Sequence, residues 1–171
     1  MRAVAYVNYY GLFGDYGGGI FAPRDNMTRA MFVTALYKLE GNPAPNGSAW
    51  FADVEHVRWY HDAVQWAAEN GVVSGVGGGR YAPDRAITRQ EMAVMLYNYA
   101  NYKGCDIPEN RTPLPLTDYN QIDMWAETPS RKLIEAGVFS CDNNEFRPKD
   151  TATRAEAARI FKNFLRFVLG R

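Results

Sequence analysis

The reading of this chain turns on Ala63-Val64-Gln65-Trp66-Ala67-Ala68-Glu69-Asn70-Gly71, with Tyr81-Ala82-Pro83 and Ile87-Thr88-Arg89-Gln90-Glu91 following it. Trp59, Ala63, Trp66 and Ala67 recur at helical spacing and form one apolar stripe, which predicts a helix over roughly Trp59 to Asn70. Gly71 stops it as a left-handed cap residue. A Gly-rich loop, Gly75 to Gly79, comes next. Tyr81-Ala82-Pro83 is expected to be extended, because the residue before a proline avoids helical angles. Thr88 is a good N-cap, and Glu91 three residues on completes a capping box, so a second helix starts there. The unit is helix, loop, helix.

Working outward, the same unit recurs on both sides. Upstream stand Ala3-Val4-Ala5-Tyr6-Val7-Asn8-Tyr9-Tyr10-Gly11, Phe21-Ala22-Pro23 and Met27-Thr28-Arg29; downstream stand Leu133-Ile134-Glu135-Ala136-Gly137, Phe146-Arg147-Pro148 and Ala152-Thr153-Arg154. The Gly-to-Thr spacing is 17 positions in units one and two and 16 in unit three. Such registers mark an internal repeat, which governs the fold. Units two and three share a leader: Phe51-Ala52-Asp53 before Trp59, and Leu116-Thr117-Asp118 before Trp125, each Trp 12 positions ahead of the stop glycine. In unit one the equivalent Trp would fall before Met1. That unit is expected to be truncated at its N-terminus, and the chain to be a piece of a longer protein. The units are drawn at 1–41, 48–104 and 114–171. Their linkers are Gly41 to Ser48, with Pro43 and Pro45, and Gly104 to Pro115, with Pro108, Pro113 and Pro115.

Local signals differ between units. Thr153 and Glu156 repeat the capping box, whereas Thr28 faces Met31, so that box is incomplete. Pro129 suits only a first turn, so the first helix of unit three should start near Thr128. The expected core faces are Phe32, Leu36 and Leu39; Met92, Met95, Leu96 and Tyr99; and Ala157, Phe161, Phe164, Leu165 and Val168. The fold class is therefore mainly α, built from three helix-loop-helix repeats.

Composition excludes several functions. The chain has 171 residues, with 19 basic and 19 acidic side chains, 47% hydrophobic and 22% charged. That is globular, and a zero net charge argues against a nucleic-acid partner or a polybasic membrane surface. No stretch approaches the ~20 apolar residues of a membrane span, and Met1 to Phe13 does not read as a signal peptide. Cys105 and Cys141 are 36 positions apart and belong to no metal signature. Two unpaired thiols in loops are the simpler reading and a disulfide the alternative. Asp142-Asn143-Asn144-Glu145 fails as a calcium loop, because Arg147 and Thr153 stand where Gly and Glu are needed. The glycine run 77–79 lacks the strand-loop-helix context of a phosphate loop. His56 and His61 have no recurring nucleophile near them and read as surface residues. No catalytic residue, metal or cofactor is expected.

The recurring Thr-Arg pair is the most informative chemical feature. Arg29, Arg89 and Arg154 stand at first helical positions, where exposed N–H groups favour an anion and a cation opposes the dipole. Each is expected either to hold a carboxylate with those N–H groups or to pair with a leader Asp, Asp53 or Asp118, and staple units together. Trp59 and Trp125 are packing residues on one reading and faces for an acidic sugar on the other.

The quoted leader, Ala-Val-x-Trp-Ala, Asn-Gly-Val-Val, Tyr-Ala-Pro and Ile-Thr-Arg-Gln-Glu-Met segments together resemble the S-layer homology (SLH) repeat. Unit two matches along its length from Phe51 to Tyr102, unit three strongly through Thr153-Arg154-Ala155-Glu156, and unit one from Ala3 on, with Met31 departing from the usual acid. The resemblance implies a pseudo-threefold helical spindle with first helices packed centrally and grooves between units. It implies an exported bacterial surface protein, outside the cell at the wall or S-layer. That protein is anchored non-covalently to cell-wall polysaccharide carrying pyruvate ketals, or to peptidoglycan. It carries ligand contact to Arg29, Arg89 and Arg154, and to Asp53, Trp59, Asp118 and Trp125. A protein-interaction or assembly module, with self-association through an open surface of unit one, is the competing expectation.

Overall fold

A computed structural model describes residues 3–14, 20–107 and 115–168. Met1 and the Pro108 and Pro113 portion of the second linker lie outside them. Among the described residues there are six α-helices and no strand. They are α1 (Ala3–Tyr9), α2 (Arg29–Leu39), α3 (His61–Glu69), α4 (Arg89–Tyr102), α5 (Glu127–Glu135) and α6 (Arg154–Val168). The chain is thus mainly α, as the periodicity indicates.

The helices pair between units. α2 packs on α3, α4 on α5, and α6 returns to α1. Each second helix therefore lies against the first helix of the following unit, and the last closes on the first. The second helices, not the first as the resemblance implies, form the centre. Phe32 of α2 meets Phe161 of α6 with ring centroids 4.8 Å apart, and Tyr99 of α4 meets Phe164 at 6.1 Å. The expected core faces are buried there, apart from Leu39 and Val168, which pack partly buried against the core's edge.

The reason for this inversion lies at the helix starts. Short antiparallel bridges join Thr28 to Ala86, Thr88 to Thr151, and Asn26 to Thr153. Met27 N–H donates to Ala152 C=O and Ile87 N–H to Met27 C=O, both at 2.9 Å. The first N–H of each central helix, an orphan in an isolated helix, finds a carbonyl on a neighbouring unit. Arg29 donates to Arg85 at 3.0 Å, Arg89 to Asp150 at 2.9 Å and Arg154 to Asp25 at 2.8 Å. The three starts thus form a closed triangle.

Local cap chemistry follows the residues. Thr88 and Glu91 make a complete capping box. Thr153 and Glu156 exchange the same two bonds, at 2.8 and 3.3 Å. Thr28 accepts from Met31 N–H at 3.2 Å with nothing returned. α5 begins at Glu127 with Pro129 in its first turn. α3 begins at His61, later than the apolar stripe indicates, which leaves Trp59 on a turn outside it.

One backbone expectation is overturned. The residue before the proline is left-handed, not extended, at Tyr81-Ala82-Pro83 and at its two counterparts: φ is +48° at Ala22, +57° at Ala82 and +55° at Arg147. In units two and three the leader Asp holds this segment. Asp53 accepts from Tyr81 N–H and Ala82 N–H, both at 2.8 Å. Asp118 accepts from Phe146 N–H at 3.0 Å and Arg147 N–H at 2.6 Å. These charge-assisted bonds help to offset the roughly 1–2 kcal/mol cost of the left-handed conformation.

Candidate functional site

The three Thr-Arg arginines make the same set of bonds. None of them pairs with a leader Asp in the way the stapling reading requires. Each guanidinium crosses to the loop of the following unit and donates to two backbone carbonyls there. Arg29 Nε donates to Tyr81 C=O at 2.8 Å and Nη2 to Ser74 C=O at 3.0 Å. Arg89 does the same to Phe146 at 2.7 Å and Ser140 at 2.9 Å. Arg154 does so to Phe21 at 2.8 Å and Gly14 at 2.5 Å. The acceptors fall at matching places after Gly11, Gly71 and Gly137. Each guanidinium also lies over an aromatic ring, at 4.6 Å from Tyr81, 5.3 Å from Phe146 and 4.9 Å from Phe21. The arginines are 3%, 5% and 2% exposed respectively. The leader Asp and the incoming Arg thus grip one residue from both sides: Asp53 takes the N–H of Tyr81 while Arg29 takes its C=O.

Among the described residues, two grooves open beside these clamps. The first, about 600 Å³, has Arg29 at one side, the loop from Val72 to Val76, the α4 face with Glu91 and Asn98, and Trp125 with Pro129 from unit three. The second, about 520 Å³, has Arg154, Phe13 and Gly14, the α2 face with Met31, Thr34 and Lys38, and Trp59 from unit two. Each groove therefore combines three units: a loop and helix from one, an arginine from the unit before, and a tryptophan from the unit after. Trp59 is 63% exposed and Trp125 55%, so their rings are walls and not core. Among the predicted residues, Arg29 joins Trp125 and Arg154 joins Trp59. Arg89 sits at the third equivalent place with Ser140 and Phe146. Asp53 and Asp118 stand behind the loops and line neither groove.

The grooves differ in charge. Glu91 accepts from Arg29 Nη1 at 3.0 Å, from Arg85 Nη2 at 2.5 Å and from Thr88 N–H at 3.0 Å. Burial alone would raise the Glu91 carboxyl, but the Thr88 N–H and the two guanidiniums outweigh it and hold it below the usual carboxylate range. At the matching place in the second groove stands Met31, whose Sδ lies 3.7 Å from Arg154 Nη1. Lys38 likewise stands where units two and three have Asn98 and Asn163. Those asparagines donate to Val72 and Val138 carbonyls at 3.3 Å and tie helix to loop. Lys38 instead brings an ammonium group to the groove. Glu91, Arg85 and Lys38 were not legible as groove residues. The only available signal was that positions 31 and 38 break the pattern of the other two units.

The remaining motifs resolve simply. Cys105 and Cys141 are free thiols. The rings of His56 and His61 lie 4.4 Å apart, and His61 Nδ1 is 2.8 Å from Asp62. The 77–79 glycines and the Asp142–Glu145 segment occupy one structural place, a two-residue turn closed by the Gly77–Arg80 and Asp142–Glu145 bridges. Left-handed Gly78 and Gly79 in one turn match left-handed Asn143 and Asn144 in the other. Among the described residues no cluster of three or more His, Cys, Asp or Glu is placed to hold a metal. No described helix is long and apolar enough to cross a membrane.

The S-layer homology domain model matches the chain at residues 1–31, 51–93 and 115–158. Among curated proteins, the cellulosome-anchoring protein of Acetivibrio thermocellus is 28% identical over 155 residues, 88% of this chain and 34% of that protein. The S-layer protein sap of Bacillus anthracis is 30% identical over 83% of this chain and 17% of its own length. An amylopullulanase of Thermoanaerobacterium thermosulfurigenes is 32% identical over 85% of this chain and 8% of its own. The chain thus spans about a third or less of each of these relatives.

Proposed function

This chain belongs to the S-layer homology family, and we propose that it is a non-catalytic module anchoring a bacterial surface protein to cell-wall polysaccharide bearing an acidic group, such as a pyruvate ketal. The anchoring role is supported by the family and by relatives that include a cellulosome-anchoring protein and an S-layer protein. The observation that carries the ligand is the groove itself: an exposed indole and a guanidinium line the same cavity. Indole faces stack on flat sugar surfaces, and guanidinium matches a carboxylate. Each Nη of Arg29 carries two N–H groups and the loop and Glu91 take one from each, so donors remain for a ligand. Arg29, Arg89 and Arg154 are the proposed anion contacts and Trp59 and Trp125 the stacking contacts. Asp53 and Asp118 contribute by fixing the loops. The Trp59 groove, with Lys38 and without a carboxylate at position 31, is the better site for the acidic residue.

The test is sedimentation with bacterial wall sacculi before and after the polysaccharide is stripped. The expected result is binding that disappears on stripping and in the Trp59→Ala, Trp125→Ala double variant, whose melting temperature should stay near wild type because both rings are exposed. Equal binding to stripped walls would make peptidoglycan the ligand. A stable oligomer in light scattering with no wall binding would favour the protein-assembly reading instead.

A further inference from the structure

Ala30 and Gln90 occupy the same place, the second residue of a central helix, in units one and two. Their backbones behave alike: Ala30 N–H donates to Pro83 C=O at 2.9 Å and Gln90 N–H to Pro148 C=O at 3.0 Å. The side chains do not. Gln90 is 3% exposed, and its amide closes a two-bond ring on one residue of unit three. Nε2 donates to Asp123 Oδ2 at 2.7 Å, and Oε1 accepts from Asp123 N–H at 3.1 Å. Asp123 opens the 3-10 turn Met124–Ala126, whose closing bond runs from Ala126 N–H to Asp123 C=O at 2.8 Å. Trp125 is the middle residue of that turn. The Asp123 carboxylate also pairs with Lys149, next in sequence to the proline that accepts from Gln90. In the other groove the residue two before the tryptophan is Val57, which is 89% exposed, and Ala30 has no amide to offer it.

We propose that Gln90 is a positioning residue for the Trp125 groove: its amide holds Asp123 on both its backbone and its side chain, and so sets the Trp125 indole over the groove before a ligand arrives. The proposal rests on the reading of the grooves as saccharide sites. A wall ordered in advance removes part of the ordering cost of binding, so the Trp125 groove stacks a sugar ring more tightly than its own sequence would without Gln90. Trp59 has no such amide clamp; its ring meets that of its neighbour Tyr60 edge-on, with centroids 5.1 Å apart.

The experiment is indole ¹⁵N NMR on the whole chain, with the four Trp signals assigned by Trp→Phe variants. Gln90→Ala is expected to shift and broaden the Trp125 signal and leave Trp59 unchanged. Asp123→Ala should do the same. Asp123→Asn keeps an acceptor for Nε2 and the backbone N–H for Oε1, and should restore the wild-type signal. Titration with purified wall polysaccharide, followed at each indole, should show affinity at Trp125 falling about three- to tenfold in Gln90→Ala, with affinity at Trp59 unmoved. An unchanged Trp125 signal in Gln90→Ala overturns the proposal, as does equal disturbance of Trp59. If wild type binds no polysaccharide at either indole, the saccharide reading fails, while the ligand-free spectra still decide whether Gln90 holds Trp125.

Discussion

At the scale of single residues, the arginines expected in the sequence to contact ligand also tie one unit to the next. Arg89→Ala removes charge-assisted bonds from two carbonyls in a buried site, a loss of about 3–5 kcal/mol. At roughly 2–4 °C per kcal/mol for a chain of this size, the melting temperature should fall by about 6–20 °C in calorimetry. Arg89→Lys should recover little of it, because an ammonium point charge does not reproduce the fork that reaches both carbonyls. Loss of wall binding in arginine variants therefore has to be read beside their stability, which is why the exposed tryptophans are the cleaner probes. Gly75 is a second sensitive residue. A Cβ there would meet Arg80 C=O at 2.7 Å and the Phe51 ring at 2.9 Å. Gly75→Ala should destabilise by about 1–3 kcal/mol, measured by denaturant midpoint.

At the scale of elements, the helix starts carry both cap chemistry and acid sensitivity. Thr88→Ala breaks a complete capping box and should cost about 1–2 kcal/mol, whereas Thr28→Ala loses one bond and should cost about 0.5–1 kcal/mol. Glu91, Glu156 and Asp53 are all held below the usual carboxylate range. In each, burial pushes the group up and is outweighed: by the Thr88 N–H and the arginines for Glu91, by Thr153 for Glu156, and by the Tyr81 and Ala82 N–H groups with Arg80 for Asp53. A carboxylate whose folded pKa is depressed contributes stability that is complete above its unfolded value near 4 and declines as pH falls through the folded value. Thermal melts should therefore be flat from pH 7 to about 5 and drop steeply below about 4, and Asp53→Asn should flatten that drop. The stop glycines, the capping boxes, the first-turn Pro129 and most of the core faces were legible in the sequence, because each is written as a local pattern at fixed spacing within one unit. The left-handed Ala82 was not, because a residue before proline locally favours extended angles and the carboxylate that holds this one stands 29 positions away. Nor was the Gln90 amide clamp, since a single departure from Ala30 and Ala155 carries no partner's address.

At the scale of the whole molecule, three repeats in the sequence say nothing of which unit each arginine reaches. Spacing is one-dimensional, and the structure resolves it by having every unit complete its successor. The ring closes through unit three: Arg154 reaches Gly14 and Phe21, Ala155 N–H reaches Pro23 C=O at 3.1 Å, and Met27 N–H reaches Ala152 C=O. Unlike a stacked array, in which terminal repeats fray, this arrangement makes each unit's loop depend on another unit's helix. Calorimetry should show one transition with equal calorimetric and van't Hoff enthalpies, and Arg154→Ala should raise hydrogen exchange in α1 and α6 together. Resolved transitions for the separate units would contradict the ring. Closure also bears on how the chain is made. The bonds that complete unit one join residues more than 120 positions apart, between Arg154 and the residues at 14, 21 and 31. A nascent chain cannot lock its first loop until the last helix has followed it out of the ribosome. Such non-local closure is slow relative to helix formation. Until then the segment stays a loosely held string of helices, and it sets into its ring only once the whole of it is present.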